Sequence, residues 1–278
     1  MSDILSLPLG PRKIVWEFVR RSEFWLRVPG NERRSFWEMD NPDQPLYLFT
    51  AFDVVQFTKA HSLAAIATND DELLRVFKEK LRADWGADQA TPYEEARIAR
   101  VLGDYLLWID RIFFFGLLTR PTKREGELVA ERPIVALQPE SGLVDADGKS
   151  LNGRFVIGTG KLLVSTRRKS GKLQLFPKAL AIVVHELVHA YLHILVRDDE
   201  AARYFRDIDQ DSGHGIQFQT LLQFILLKLF EWVPTMKYLR GLAILTRVDL
   251  RAALARPPIS EDVARSLIYP EEAWRGSV

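Results

Sequence analysis

Apolar residues recur at three-and-four spacing over several long stretches of the chain, and cluster in short runs between Pro133 and Phe176. That pattern predicts helices framing a region of short strands. Thr91-Pro92-Tyr93-Glu94 carries a helix-start signal, with Thr as N-cap, Pro at the first helical position and Glu at the third. The helix it opens lines up Ile98, Val101, Leu102, Tyr105, Leu106, Ile109 and Ile112 on one face and ends at Phe113-Phe114-Phe115-Gly116. Strands are expected at Pro133–Leu137, Arg154–Ile157, Lys161–Thr166 and Leu173–Phe176, with turns at Asp147-Gly148, Asn152-Gly153 and Ser170-Gly171. Asp145-Ala146-Asp147-Gly148 lacks the remaining ligands and closing Glu of a calcium loop and reads as a turn.

Pro177 then opens a helix running to Val196 that is apolar almost all round, so it must be buried. A further helix is expected from about His214 to Trp232, with Phe218, Leu221, Leu222, Ile225 and Leu229 on its apolar face. Residues after Pro234 read as helical again, with a break at Pro257-Pro258 and a short last helix capped by Ser260. In the first ninety residues, Pro11 could open a helix over Lys13–Leu26, with Ile14, Phe18 and Trp25 inward, and Asn41–Pro45 carries turn signals. Asn69 with Glu72 reads as a capping box for a helix that ends before Gly86 and turns Leu73, Leu74, Phe77 and Leu81 inward. The expected fold class is α+β, a small sheet against one buried helix. A helical N-terminal extension covers residues 1–90, the main domain 91–233 and a helical C-terminal tail 234–278.

Composition narrows the chemistry. The chain has 278 residues, a formal net charge of +1 and no cysteine. Disulfides, a thiol nucleophile and Cys-ligated zinc modules are excluded, and any metal must be held by His, Asp or Glu. Met1–Trp16 lacks the pattern of a signal peptide, and the apolar run Leu221–Val233 is short and carries Lys228 and Glu231. The expectation is an intracellular protein with no membrane partner.

Three of the five histidines sit where a metal would want them: His185-Glu186-Leu187-Val188-His189, and His214 between Gly213 and Gly215. On a helix, His185 and His189 differ by about 40° in direction and about 6 Å along the axis, so both imidazoles can reach one ion. Glu186 projects about 100° away, beside the ion, where it can act as general base toward a water that zinc acidifies to a pKa of about 7. Chance would produce H-E-x-x-H on the order of 0.005 times in such a chain. A purely structural Glu186 would bury an unpaired carboxylate at a cost of several kcal/mol.

A catalytic site needs a third ligand. His193 lies about 12 Å along the helix from His185, too far to share the ion; it sits near the same face and reads as a satisfied near-surface His in preference to one that touches the transition state. Leu192 and Leu195 stand where the longer H-E-x-x-H-x-x-G-x-x-H pattern has Gly and His. Glu200, Asp209 and Asp211 could serve chemically, though their acidic segment reads as a solvated loop. His214 is preferred, because the flanking glycines let the backbone turn tightly and the following helix can aim its ring at the metal.

These residues resemble the SprT-like metalloprotease family, the family of Spartan. Its pattern pairs H-E-x-x-H-A with a later H-G-x-x-F/W, here His185–Ala190 and His214-Gly215-Ile216-Gln217-Phe218. Phe114-Phe115-Gly116-Leu117-Leu118 is similar to the element ending the family's opening helix. The resemblance covers roughly Tyr105–Trp232. It implies a zincin-like core, Zn2+ held by His185, His189 and His214, catalysis by Glu186, proteolysis of proteins attached to DNA, and a nuclear location. Two departures stand beside it: without cysteine the chain cannot carry the Cys-rich DNA-binding module of Spartan-type members, and the segment between His189 and His214 is longer than the family's compact form.

Residues 149–178 contain eight basic residues (Lys149, Arg154, Lys161, Arg167, Arg168, Lys169, Lys172, Lys178) and no Asp or Glu. They suit either a phosphate backbone near the site or a solvated basic hairpin. An edge strand within Lys161–Thr166 is expected to pair with an extended protein or peptide substrate. Tyr191, Tyr204 and His193 are candidate donors to the oxyanion. The alternative function is a DNA- or chromatin-binding adaptor that keeps the zinc for structure.

Overall fold

The computed structural model describes residues 51–66, 71–90, 94–119, 121–122, 132–156, 159–195 and 214–244. The readings at Pro11–Leu26, Asn41–Pro45, Asn69, Thr91–Tyr93, Glu200, Tyr204, Asp209, Asp211 and Pro257–Ser260 lie outside the described residues.

Among the described residues four helices come first: α1 (Ala51–His61), α2 (Leu63–Ile66), α3 (Glu72–Ala90) and α4 (Glu95–Phe113). The residue that caps α3 is Asp71, whose Oδ1 accepts from the Leu74 N–H at 3.1 Å, three residues into the turn. The helix does not end before Gly86 but continues to Ala90. Gly86 faces open space there, so it costs the helix about 1 kcal/mol relative to Ala without stopping it. α4 starts at Glu95, later than the Thr91 signal suggested, and Glu94 makes no side-chain cap. Its first turn is tied across the molecule instead. Glu95 accepts from Thr166 Oγ1 and, at 3.0 and 2.7 Å, from Arg167 Nε and Nη2.

Seven short strands follow among the described residues: β1 (Pro121–Thr122), β2 (Arg132–Pro133), β3 (Ala136–Glu140), β4 (Leu143–Val144), β5 (Ser150–Leu151), β6 (Gly153–Val156) and β7 (Lys161–Ser165). The main sheet has the order β3-β7-β6, parallel between β3 and β7 and antiparallel between β7 and β6. β7 is therefore the central strand, and the edge expected within Lys161–Thr166 belongs to β6 and β3 among the described residues. Strand order is set by tertiary pairing, which the composition of a single run does not encode.

Asn152-Gly153 is not a turn: Asn152 alone separates β5 from β6, and its carbonyl accepts from the Ser165 N–H at 2.8 Å. Leu173–Phe176 is not a strand either. Leu173 makes an isolated bridge to Arg167, and Phe176 already belongs to the next helix. The Asp145–Gly148 turn does form, with Asp145 Oδ1 accepting from the backbone of Asp147 and Lys149 at 3.0 and 2.7 Å.

α5 (Phe176–Leu195) is the centre of the fold. It packs against α4, α1, α3, β6, β7 and the later helix α6 (Ile216–Trp232). Ala179, Leu180, Val183, Val184, Leu187 and Val188 are fully buried, as an all-round apolar helix requires. By length and composition this helix could also cross a membrane, and most of it is buried inside the molecule. On α4 every residue of the predicted face is buried, and so are Trp108, Asp110, Arg111 and Phe113. On α6 the predicted face, Phe218 to Leu229, is buried against the same core. Residues 237–244 are helical.

Candidate metal centre

α5 presents His185 and His189 one turn apart, and the start of α6 brings His214 to them. The Nε2 of His214 lies 2.9 Å from that of His185 and 3.1 Å from that of His189. Ligands on a tetrahedral ion with bonds of about 2.0–2.1 Å stand about 3.4 Å apart, so the cluster is slightly tighter than a loaded site. Three like ring nitrogens aimed at one point, with no carboxylate among them, match the donor set of a divalent borderline metal. The three histidines lie close enough to bind a metal ion.

Phe218 supplies the floor beneath them. Its ring centroid stands 4.9 Å from His185, 4.3 Å from His189 and 4.8 Å from His214. The residue lies four after His214, one helical turn on, so α6 places the ligand and the floor together. Gly215, buried at the N-cap of α6, marks the turn from His214 into the helix.

Electrostatics keep the donors available. Burial holds His185 and His189 down to about 3, and the neighbouring histidines push in the same direction. Both rings are therefore neutral at physiological pH, the form that ligates. Glu186 is buried at 6% exposure, and loss of water raises its carboxyl to about 7. Interaction with the Phe155 backbone N–H, on β6, partly offsets the rise. A carboxyl poised near neutrality suits a group that takes up and gives back a proton.

No family model, curated protein or solved structure matches the chain. The structure brings together His185, His189 and His214 and sets Glu186 against β6. His193 is half-buried on α5, its ring 6.4 Å from that of Phe155. Tyr191 is corrected as an oxyanion donor: its ring is fully buried, 4.6 Å from Phe114, and its hydroxyl pairs with Thr58 Oγ1 at 3.0 Å. Its position two residues after His189 turns it to the other side of α5, away from the histidines.

The basic segment divides. Arg167 is committed to Glu95 and to the Gly171 carbonyl, and Lys149 lies 3.6 Å from Asp147. Arg154, Lys161, Lys169 and Lys172 are exposed. The approach of Phe155 to Glu186 went unread in the sequence: a strand is expected at Arg154–Ile157, but nothing within that run shows that it lies against α5.

Proposed function

We propose that this protein is a zinc-dependent endopeptidase of SprT-like type, with a zincin-like core formed by α5, α6 and the β6–β7 edge. The observation that carries the reading is the convergence of three Nε2 atoms from an H-E-x-x-H helix and an H-G-x-x-F turn, with the intervening glutamate buried beside them. Zinc bound by His185, His189 and His214 would supply Lewis acidity toward a water and the scissile carbonyl.

The chain's own residues do the rest. An extended substrate strand pairs along the outer edge of β6, the strand that lies against α5. Glu186 removes a proton from the water as its oxygen bonds to the carbonyl carbon. It delivers that proton to the nitrogen when the C–N bond breaks. Phe218 holds the three imidazoles in one orientation. His193 lies further along the same helix, its ring 6.4 Å from that of Phe155 on β6.

Family resemblance extends the proposal to proteins attached to DNA, in the nucleus. The exposed Arg154, Lys161, Lys169 and Lys172 offer positive charge for a phosphate backbone.

Zinc content and cleavage of an unstructured protein such as casein, with and without single-stranded DNA, test the reading. Glu186→Gln should keep stoichiometric zinc and lose about 10²–10⁴-fold in kcat, the usual worth of a general base. His214→Ala should lose the metal. If Glu186→Gln cleaves as fast as wild type, the mechanism is wrong. If zinc-loaded wild type turns over neither casein, itself nor DNA-bound protein, the adaptor reading replaces the peptidase.

A further inference from the structure

β6 approaches α5 more closely at Glu186 than any side chain would permit. A Cβ on Gly153 would lie 2.6 Å from Ile182 Cγ2, 2.7 Å from Glu186 Oε1 and 2.9 Å from Glu186 Cγ. Gly153 does not belong to the glycines with positive φ. The demand for glycine there is spatial, and one of the atoms demanding it is the carboxylate itself. Gly153 and Phe155 are two residues apart on one strand and share its face, opposite the buried Val164 and Leu162 of β7.

We infer that Gly153 is a positioning residue for Glu186: having no side chain, it lets the β6 backbone close on α5 so that the Phe155 N–H fixes the carboxylate beside the three histidines. This rests on the peptidase reading of Glu186. An N–H bond to an ionised oxygen is short and directional, so it selects one rotamer of a side chain that otherwise has several. With one oxygen fixed by the amide, the other is left to exchange a proton with water. A displacement of about 1 Å in such a group costs about 10²-fold in rate.

The test uses the full chain loaded with zinc. Gly153→Ala should retain one zinc per chain and lower kcat on casein by ten- to a hundredfold, with KM within threefold of wild type. Gly153→Ala/Ile182→Ala removes the clash with Ile182 Cγ2 but not the one with Glu186. It should therefore have the Tm of Ile182→Ala alone, with no further loss from Gly153→Ala, while kcat stays low. Recovery of kcat in the double variant would show that Gly153 serves packing alone and overturn the inference.

A second measurement needs no activity: amide hydrogen exchange at Phe155. Exchange should be slow in wild type and in Glu186→Gln, which keeps an acceptor. It should be at least tenfold faster in Glu186→Ala and Gly153→Ala, with Leu162 and Val164 unchanged. Equal exchange in wild type and Glu186→Ala sinks the inference. If this pattern holds while wild type cleaves nothing, the contact stands and the peptidase reading is what fails.

Discussion

Phe218 stands within 4.9 Å, centroid to centroid, of all three imidazoles. It is 3% exposed, so it contributes both packing and orientation. Truncation to Ala should cost about 3–5 kcal/mol of stability, the range for a buried aromatic. It should also weaken metal binding, because rings that lose their floor sample more orientations. Urea denaturation gives the first effect and competition with a chromogenic chelator the second. Unchanged metal affinity in a destabilised Phe218→Ala would reduce the ring to core filler. Most of this site was legible residue by residue: H-E-x-x-H fixes two ligands and a base through helix geometry alone, and the glycines around His214 mark the third. The approach of β6 was not. It depends on an absent side chain meeting Ile182 and Glu186, a contact that has no signature within its own strand.

α4 and the turn that ends it show the same division at the level of elements. The buried face of the helix follows from its spacing, but its exit does not. Phe115 adopts φ 62°, a left-handed conformation that sequence rules reserve for glycine, and Gly116 follows at φ 71°. The turn is held from the helix: Asp110 accepts from the Leu118 N–H at 3.1 Å and from the Thr119 N–H and Oγ1 at 2.7 Å. Four buried aromatic and aliphatic side chains, Phe113, Phe114, Leu117 and Leu118, make that exit favourable by filling the core.

Burial raises the Asp110 carboxyl to about 6, against the pull of the Thr119 and Leu118 donors and of Arg111. Between the unfolded value of about 4 and the folded value the native state holds a proton that the unfolded state has released. Stability from this group is therefore full below about pH 4, falls by roughly 3 kcal/mol as pH rises to about 6, and is flat above. Asp110→Asn removes that falling limb. Urea unfolding of both proteins at pH 4.5 and 6.5 should show the gap between them shift by about 1–3 kcal/mol in favour of the variant at the higher pH. A gap independent of pH would mean that Asp110 carries no proton change on folding.

At the scale of the whole molecule, the described helices before residue 91 share one core with the metal-binding helix. Val54, Val55, Phe77 and Leu81 are fully buried in the same cluster as α5 and α6. Phe77 alone packs on Tyr105, Trp108 and Trp232, with ring centroids 5.8–5.9 Å apart. Thr58 pairs with the buried hydroxyl of Tyr191, and Arg82 donates to the Trp232 carbonyl at 3.3 Å. From sequence this region reads as an extension because it contains no chemistry. Its packing partners, Tyr105, Trp108, Tyr191 and Trp232, lie in other elements of the chain, beyond the reach of any local pattern.

The energetic consequence is direct. Burying those four side chains and Leu74 is worth roughly 8–15 kcal/mol at about 1.5–3 kcal/mol each, as much as the whole net stability of a typical domain. A chain beginning at residue 91 would expose Tyr105, Trp108 and the Tyr191 side of α5 to water. It should show no cooperative urea transition by tryptophan fluorescence and bind zinc substoichiometrically, because His185 and His189 depend on α5 being held in place. A fragment from residue 91 that unfolds cooperatively and takes up one zinc per chain would show instead that α4, α5, α6 and the sheet suffice to build the metal centre.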